Sequence, residues 1–499
     1  MPAGGRNLKT WHDECGVFGI WNHPDASRLT YLGLYAIQHR GQESAGIVSL
    51  DGERHYIKKG LGLVGEVFDD ESFQSLPGRA AIGHVRYSTT GRNSISNAQP
   101  LHAELHRGPF AISHNGNIVN AGQIKEQLKN LGSIFQGTND TEIVLHLMAR
   151  NSNVNEDKNE NFVQCLLEVL ERLDGAFSFT MLSHQTLFAA RDPYGFRPLV
   201  LGVLESDIEN GVDGPAYVLA SETCAFDLIG AKYIREIEPG ELFWVDESGP
   251  HSVFMRRKVQ ARAACVFEHI YFARPDSVIF GASVYETRKR AGRILSRECS
   301  VAADLVVPVP DSGLAAAIGY SAESGIPFEL GIIRNHYIGR TFIQPQQSIR
   351  DFGVKIKLNP QAEVLKGKRV IVIDDSLVRG TTSKKIVGLV RAAGASEVHL
   401  RIAAPPTTGP CYYGVDTPER SQLIAANQSL EEIRSFVGAD TLGYLSLKGM
   451  KEAVAVRGVK ESDVEVNASK GFCSACFDGH YPSQLYGLDT VPKGNIRGI

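Results

Sequence analysis

The chain has 499 residues, 43% of them hydrophobic and 22% charged, with 52 basic against 56 acidic side chains and a formal net charge of −4. That length accommodates two or three ordinary domains, and a balanced charge without a long run of either sign argues against a dedicated nucleic-acid or membrane-surface protein. No stretch approaches the roughly 18 to 20 apolar residues of a membrane span, and residues 1–14 lack the apolar core of a secretory signal, so the chain is expected to stay in the cytoplasm.

Cys15 opens the run CGVFGI, which alone reads as a core cysteine ahead of an apolar strand. Residues 81–90 and 110–114 read as strands running into Gly- or Asn-containing turns, and residues 121–131 carry Ile124, Leu128 and Leu131 at helical spacing. Residues 141–150 and 162–173 are further amphipathic helices. Residues 176–190 and 199–204 return to β runs on either side of the polar turn RDPYGFRP (191–198). The first half is therefore expected to be α+β with largely antiparallel sheets.

Past about Met255 apolar strands are followed by Gly-rich turns and helices, as in residues 305–310 before 311–320 and residues 369–373 before 382–393. This alternation predicts βαβ units and a parallel sheet. The boundary is expected between Gly240 and Cys265, and the end of the chain reads as a Gly-rich tail held by something local.

Residues 369–382 read RVIVIDDSLVRGTT: a β-branched strand that ends in two carboxylates, then Ser, Gly and two Thr before a helix. The free N–H groups and dipole of that helix favour a phosphate, the hydroxyls add donors, and Gly380 lets the backbone approach. Asp374 and Asp375 would repel phosphate directly; they suit sugar hydroxyls or a magnesium ion bridging to diphosphate oxygens. The bland alternative is an ordinary strand-to-helix turn with exposed acids. A strand closing in Asp-Asp before an RGTT loop resembles the 5-phosphoribosyl diphosphate loop of type I phosphoribosyltransferases. Two further segments are similar to that family. VPVPDSG (307–313) resembles its diphosphate-binding turn, and RNHYIGRTFIQP (334–345) its closing loop, a lid that would keep water from the reaction. Arg334 and His336 depart from the Lys and Arg that this loop would carry, while keeping basic or hydrogen-bonding character. The resemblance implies magnesium near Ser312, Asp374 and Asp375, the 5′-phosphate on Arg379, Gly380, Thr381 and Thr382, and a substrate contact from Arg340.

In the first half Cys15 is followed by HRGQESAG (39–46), GHVRYSTT (83–90), HNGN (114–117) and TNDTE (138–142). Together and in this order these resemble the glutaminase domain of class II, N-terminal nucleophile amidotransferases. An amide hydrolase needs a nucleophile, a base, an oxyanion site and a clamp for the substrate's α-amino and α-carboxylate groups. A Cys15 at the start of a mature chain could use its own α-amine as the base, since such amines titrate at about 7.7 to 8.0. The resemblance implies that Arg86 pairs with the glutamine carboxylate, that Asp140 holds its ammonium, and that Asn115 and Gly116 form the oxyanion hole. With residues 1–14 attached the Cys15 nitrogen is an amide, so these residues are expected to be a propeptide cut between Glu14 and Cys15.

Eight cysteines are too few for a disulfide scaffold of this size. Cys473 and Cys476 form CSAC, which by itself is either a redox pair or half a metal site, with Cys265 and Cys411 as candidates for the other half. Spacing alone favours zinc over iron and sulfur. Cys165, Cys224 and Cys299 read as packing.

The two halves in this order resemble the amidophosphoribosyltransferase family across nearly the whole chain. The implied fold is an α+β N-terminal-nucleophile (αββα) glutaminase domain followed by an α/β type I phosphoribosyltransferase domain. The implied divisions are a propeptide at 1–14, glutaminase at 15–250, transferase at 251–465 and a cysteine-bearing tail at 466–499. The family subgroup with a propeptide carries a structural [4Fe-4S] cluster, whose four cysteine contexts match Cys265, Cys411, Cys473 and Cys476. The implied reaction moves ammonia from glutamine to C1 of 5-phosphoribosyl diphosphate, as the first committed step of purine synthesis, in a homotetramer inhibited by purine nucleotides. Two rivals differ in kind. An amidotransferase for another acceptor would lack the Asp-Asp loop, and a regulator that only senses 5-phosphoribosyl diphosphate would need neither nucleophile nor oxyanion residues.

Overall fold

The computed structural model describes residues 13–52, 54–88, 94–150, 158–207, 211–257, 259, 261–335, 357–417, 419–455 and 471–486. Residues 1–12 of the expected propeptide, and Arg340 with the rest of the expected lid beyond Asn335, lie outside the described residues.

In the first half two antiparallel sheets stack face to face. The seven-stranded sheet runs in the order Lys232–Glu236, Val200–Leu204, Ala216–Ala220, Asp13–Trp21, Ala80–Ser88, Ser44–Asp51 and Arg54–Leu61. The six-stranded sheet runs Gly249–Phe254, Glu241–Asp246, Thr186–Arg191, Gly175–Ser183, Gly108–Ile118 and Leu101–Leu105. Val17, Val48, Ile82, Leu187, Leu219 and Phe243 fill the space between them. The outer face of the first sheet packs on the helices Ala26–Ala36 and Cys224–Ile229 through Phe18, Leu34 and Phe226. Ile124, Leu147 and Leu166 cover the outer face of the second from the helices Ala121–Asn130, Glu142–Arg150 and Lys158–Glu171. These four layers, αββα, bury both faces of each sheet, which explains why so many of the strands are apolar on every residue.

One local expectation changes. HNGN, anticipated as a turn, continues the strand Gly108–Ile118, with Asn115 opposite Ser178 and Gly116 opposite Phe177. Gly116 keeps the strand only because it can adopt a φ of +150°, and a side chain there would meet the Ala176 carbonyl at 2.2 Å.

The second half centres on a four-stranded parallel sheet in the order Leu305–Pro308, Arg369–Asp374, Glu397–Ile402 and Thr441–Tyr444. Val370, Ile371, Val372 and Ile373 have no solvent exposure, as a central parallel strand covered on both faces requires. Helices Val284–Glu298, Leu314–Ser324 and Thr381–Ala392 flank it. The tail returns across this half, where Phe472–Cys473 pairs in parallel with Ala264–Cys265.

Candidate active sites

Cys15 lies inside the strand Asp13–Trp21, 2% exposed, and its direct partner across the antiparallel ladder to Ala80–Ser88 is Arg86, also buried. Residues directly opposite project to the same face. The sheet therefore delivers a thiol and a guanidinium side by side. Asp13 and Glu14 continue the strand opposite Ser88 and Tyr87, so in this form the Cys15 nitrogen is a backbone amide.

The neighbouring sheet brings the oxyanion candidates. Asn115 is 1% exposed, and its Nδ2 donor is buried without a hydrogen-bond partner among the described residues. An orphan buried donor costs about 1–3 kcal/mol; a developing oxyanion would satisfy it. Asp140 is buried beside this strand, its Oδ2 accepting from the Ile118 amide at 2.8 Å and its Oδ1 lying 3.5 Å from His114 Nδ1. Burial pulls the Asp140 carboxyl upward, but His114 and the Ile118 amide outweigh it and hold it below the ordinary carboxylate range. It is an anion, as a clamp for an ammonium group must be.

Behind Cys15 a buried charge network crosses to the second half. Arg40 Nε donates to the Cys15 carbonyl at 3.0 Å, while Nη1 and Nη2 donate to Glu268 at 2.9 and 2.6 Å. Arg40 Nη1 also reaches Glu222 at 2.6 Å, and Arg197 Nη1 reaches Glu268 at 2.9 Å. Glu222 receives in addition the Arg274 amide at 2.8 Å and the Ser277 hydroxyl at 2.7 Å, both from the second half. Two guanidinium groups and two carboxylates thus compensate one another out of water. Glu268 opens a five-residue π-helix, Glu268–Phe272, a rare geometry that concentrates at functional sites. The sequence motifs give none of these four residues a role. The available signal is a charge inside an apolar run, as in ACVFEHIYF.

In the second half the strands ending at Pro308 and Asp374 are adjacent and parallel, so their C-terminal turns meet. Ser312 Oγ donates to Asp374 Oδ1 at 3.4 Å, and the Asp375 amide donates to the same oxygen at 2.9 Å. Burial and mutual repulsion hold Asp374 well above the usual carboxylate range. Asp375 is raised by burial against the opposing charge of Arg288, and its Oδ2 is buried with no hydrogen-bond partner among the described residues. Two desolvated carboxyl groups with an orphan oxygen fit a hard divalent cation such as magnesium. Gly380, at φ +75°, caps the helix Thr381–Ala392, with Arg379, Thr381 and Thr382 exposed around its free N-terminal amides. Arg334 pairs with Asp311, joining the first residue of the expected lid to the diphosphate turn.

Cys265, Cys411, Cys473 and Cys476 line one internal cavity with Phe196, Phe267, Tyr413 and Tyr481. Among the described residues no three or more His, Cys, Asp or Glu side chains converge closely enough to hold a metal ion. Burial pushes the Cys265 thiol up to about 11 and those of Cys473 and Cys476 well above their ordinary value. Cys165 and Cys224 are buried in the first half, and Cys299 packs partly buried under the parallel sheet.

These features define a glutamine amidotransferase whose nucleophile site is joined to a phosphoribosyltransferase site in one chain. The family model for the glutamine amidotransferase domain matches residues 84–226. The amidophosphoribosyltransferase of Bacillus subtilis (strain 168) is 47% identical over 486 residues, covering 97% of each chain. The chloroplastic amidophosphoribosyltransferase 1 of Arabidopsis thaliana is 50% identical over 471 residues, 94% of this chain and 79% of that one. A solved structure of the B. subtilis glutamine phosphoribosylpyrophosphate amidotransferase, complexed with ADP and GMP, superimposes with a TM-score of 0.85 at 47% identity, covering 96% of this chain and 99% of that one. The chain belongs to the amidophosphoribosyltransferase family.

Proposed function

We propose that the chain transfers ammonia from glutamine to C1 of 5-phosphoribosyl diphosphate. The freed Cys15 α-amine takes the thiol proton as the sulfur attacks the glutamine amide carbon and passes it to the nitrogen, the collapsing tetrahedral adduct expels ammonia, and water then cleaves the thioester to glutamate and restores the thiol. Ammonia crosses to the second half and displaces diphosphate from C1 with inversion, and loss of one proton leaves 5-phosphoribosylamine. The Cys15–Arg86 pair, the unsatisfied Asn115 donor and the Asp140 anion support the first step, with Gly116 as the second oxyanion donor. Asp374, Asp375 and Ser312 would hold magnesium, which when bound neutralises charge on the departing diphosphate. Arg379, Gly380, Thr381 and Thr382 would take the 5′-phosphate, and Arg340 would close over the substrate.

The observation that carries this reading is that one chain folds both constellations and locks them together through Arg40 and Glu268. The test is incubation with amide-labelled glutamine, magnesium and 5-phosphoribosyl diphosphate. Label should appear in phosphoribosylamine; labelled free ammonia alone, with a correct N-terminus, would overturn the reading.

The finer assignments belong to the same proposal. Residues 1–14 are a propeptide removed to free the Cys15 amine, the glutaminase domain spans 15–250, the transferase domain 251–465, and the tail 466–499. The four cysteines would hold a structural [4Fe-4S] cluster. Four thiols around one internal cavity suit a cubane, which brings its own iron and sulfide. Purine nucleotides, of the kind bound by the B. subtilis relative, would inhibit the enzyme. It would work in the cytoplasm as a homotetramer, and ordering of the lid by 5-phosphoribosyl diphosphate would raise glutaminase turnover.

A further inference from the structure

The oxyanion strand of the first half rests on a loop of the second. Asn117 Nδ2 donates to the Tyr412 carbonyl at 2.9 Å, and Arg197 Nε donates to the Tyr413 carbonyl at 2.9 Å. The Phe196 and Tyr413 rings stack at 4.1 Å with 14° between their planes. Gly414, at φ +89°, comes so close that a Cβ on it would lie 2.8 to 3.0 Å from the carbonyl carbon, Cα and oxygen of Gly116. A Cβ on Gly116 would in turn lie 2.2 Å from the Ala176 carbonyl oxygen. Gly116 is therefore packed against two pieces of backbone, neither of which can yield as a side chain would.

The same loop is gripped by the tail. The Thr408 and Gly409 amides donate to the Cys476 carbonyl at 2.9 and 3.0 Å, the Tyr481 hydroxyl donates to the Pro410 carbonyl at 2.6 Å, and the Ser483 amide donates to the Tyr413 hydroxyl at 3.1 Å. A continuous set of contacts thus runs from the tail through the loop 408–414 to the strand carrying Asn115 and Gly116.

We infer that Gly414 and Asn117 are positioning residues for glutamine hydrolysis: the second half sets the direction of the oxyanion donors of the first. This rests on the reading of Asn115 and Gly116 as the oxyanion hole. Donors of this kind stabilise charge only when aimed before the reaction begins, and an offset of about 0.5 Å degrades them. Contact with the tail then bears on glutamine chemistry and leaves the use of supplied ammonia alone.

The test compares Gly414→Ala, Asn117→Ala and the control Gly438→Ala in the mature, iron-loaded enzyme that begins at Cys15. Gly438 has a similar φ of +76°, but among the described residues outside its chain neighbours nothing lies within 4 Å of the point a methyl group on it would occupy, so the control separates backbone strain from contact with Gly116. For Gly414→Ala, glutamine-dependent kcat should fall at least tenfold while KM for glutamine moves less than twofold and ammonia-dependent synthesis and iron content stay at wild-type levels. Affinity for glutamate γ-semialdehyde, which adds to a thiol as a tetrahedral hemithioacetal, should fall in parallel with kcat. Asn117→Ala should follow the same pattern more weakly, and it decides the matter if Gly414→Ala does not fold. Glutamine-dependent kcat within twofold of wild type in the foldable variants, or a parallel loss of both activities, would overturn the inference. Wild-type enzyme that turns over ammonia but never glutamine would overturn the underlying oxyanion reading instead.

Discussion

Arg40 and Glu268 form a two-pronged ion pair with no access to water, at 2.6 and 2.9 Å, and Arg40 spends its remaining nitrogen on the carbonyl of Cys15. Removing one partner of such a pair leaves an uncompensated charge, at a cost of about 3–5 kcal/mol. Glu268→Ala should therefore lower the urea midpoint sharply and reduce glutamine turnover through Cys15. Glu268→Gln keeps the shape and should lose less. Equal midpoints for Glu268→Ala and wild type would remove this pair from any account of how the halves are joined.

Acid should undo the same network. His39 and Arg40 outweigh burial at Glu222, as Arg40 and Arg197 do at Glu268, and hold both carboxyls below their ordinary range. A depressed carboxyl contributes stability that is fully present above its unfolded pKa, about 4.3, and is lost as the pH falls toward the native value. Urea midpoints measured between about pH 3 and pH 6 should fall steeply below about pH 4.3, and the fall should be shallower in Glu222→Gln.

The diphosphate site has the opposite sign. Asp374 is raised by burial and by Asp375, so its contribution is present at low pH and is lost as the pH rises through the native value. At neutral pH this buried carboxylate pair, without a bound cation, is a source of instability. Asp374→Asn should raise the thermal midpoint of the magnesium-free protein, by about 1 °C for each kcal/mol relieved in a chain of this length. It should also weaken 5-phosphoribosyl diphosphate binding and leave glutamine hydrolysis without that substrate unchanged. A lower midpoint for Asp374→Asn would contradict this.

At the first site Asn115→Ala should cost about 10² to 10³ in glutamine-dependent kcat, the usual loss for one oxyanion donor, with ammonia-dependent synthesis intact. Cys15→Ala should abolish the glutamine reaction entirely with the same sparing of ammonia. Mass spectrometry of glutamine-active protein should find Cys15 at its N-terminus; intact residues 1–14 on fully active enzyme would refute the propeptide.

Much of the chemistry was legible because motifs mark it. HNGN lies on a strand of the sheet that stacks on the one carrying Cys15, TNDTE leads into the helix Glu142–Arg150, and IDDSLVRGTT reads directly as a strand end and helix start. What the sequence hid was partnership at long range. Nothing local shows that Arg40 would meet Glu268, or that Gly414 would touch Gly116, because both contacts depend on how two separately patterned halves dock. The HNGN segment misled for a related reason. Asn and Gly signal a turn locally, but pairing with Ser178 and Phe177 gives the backbone a better ladder, and Gly116 accepts the unusual φ.

The exchange of charges across the docking surface bears on ancestry and on engineering. The first half supplies Arg40, Arg197 and Glu222, and the second supplies Glu268. Separated, one piece would carry a surplus cation among apolar neighbours and the other a lone carboxylate. Neither could be traded for a counterpart from another enzyme without recruiting the complementary ion at the same time. Two catalytic units that look like interchangeable modules are, at this one seam, obliged to be inherited as a pair.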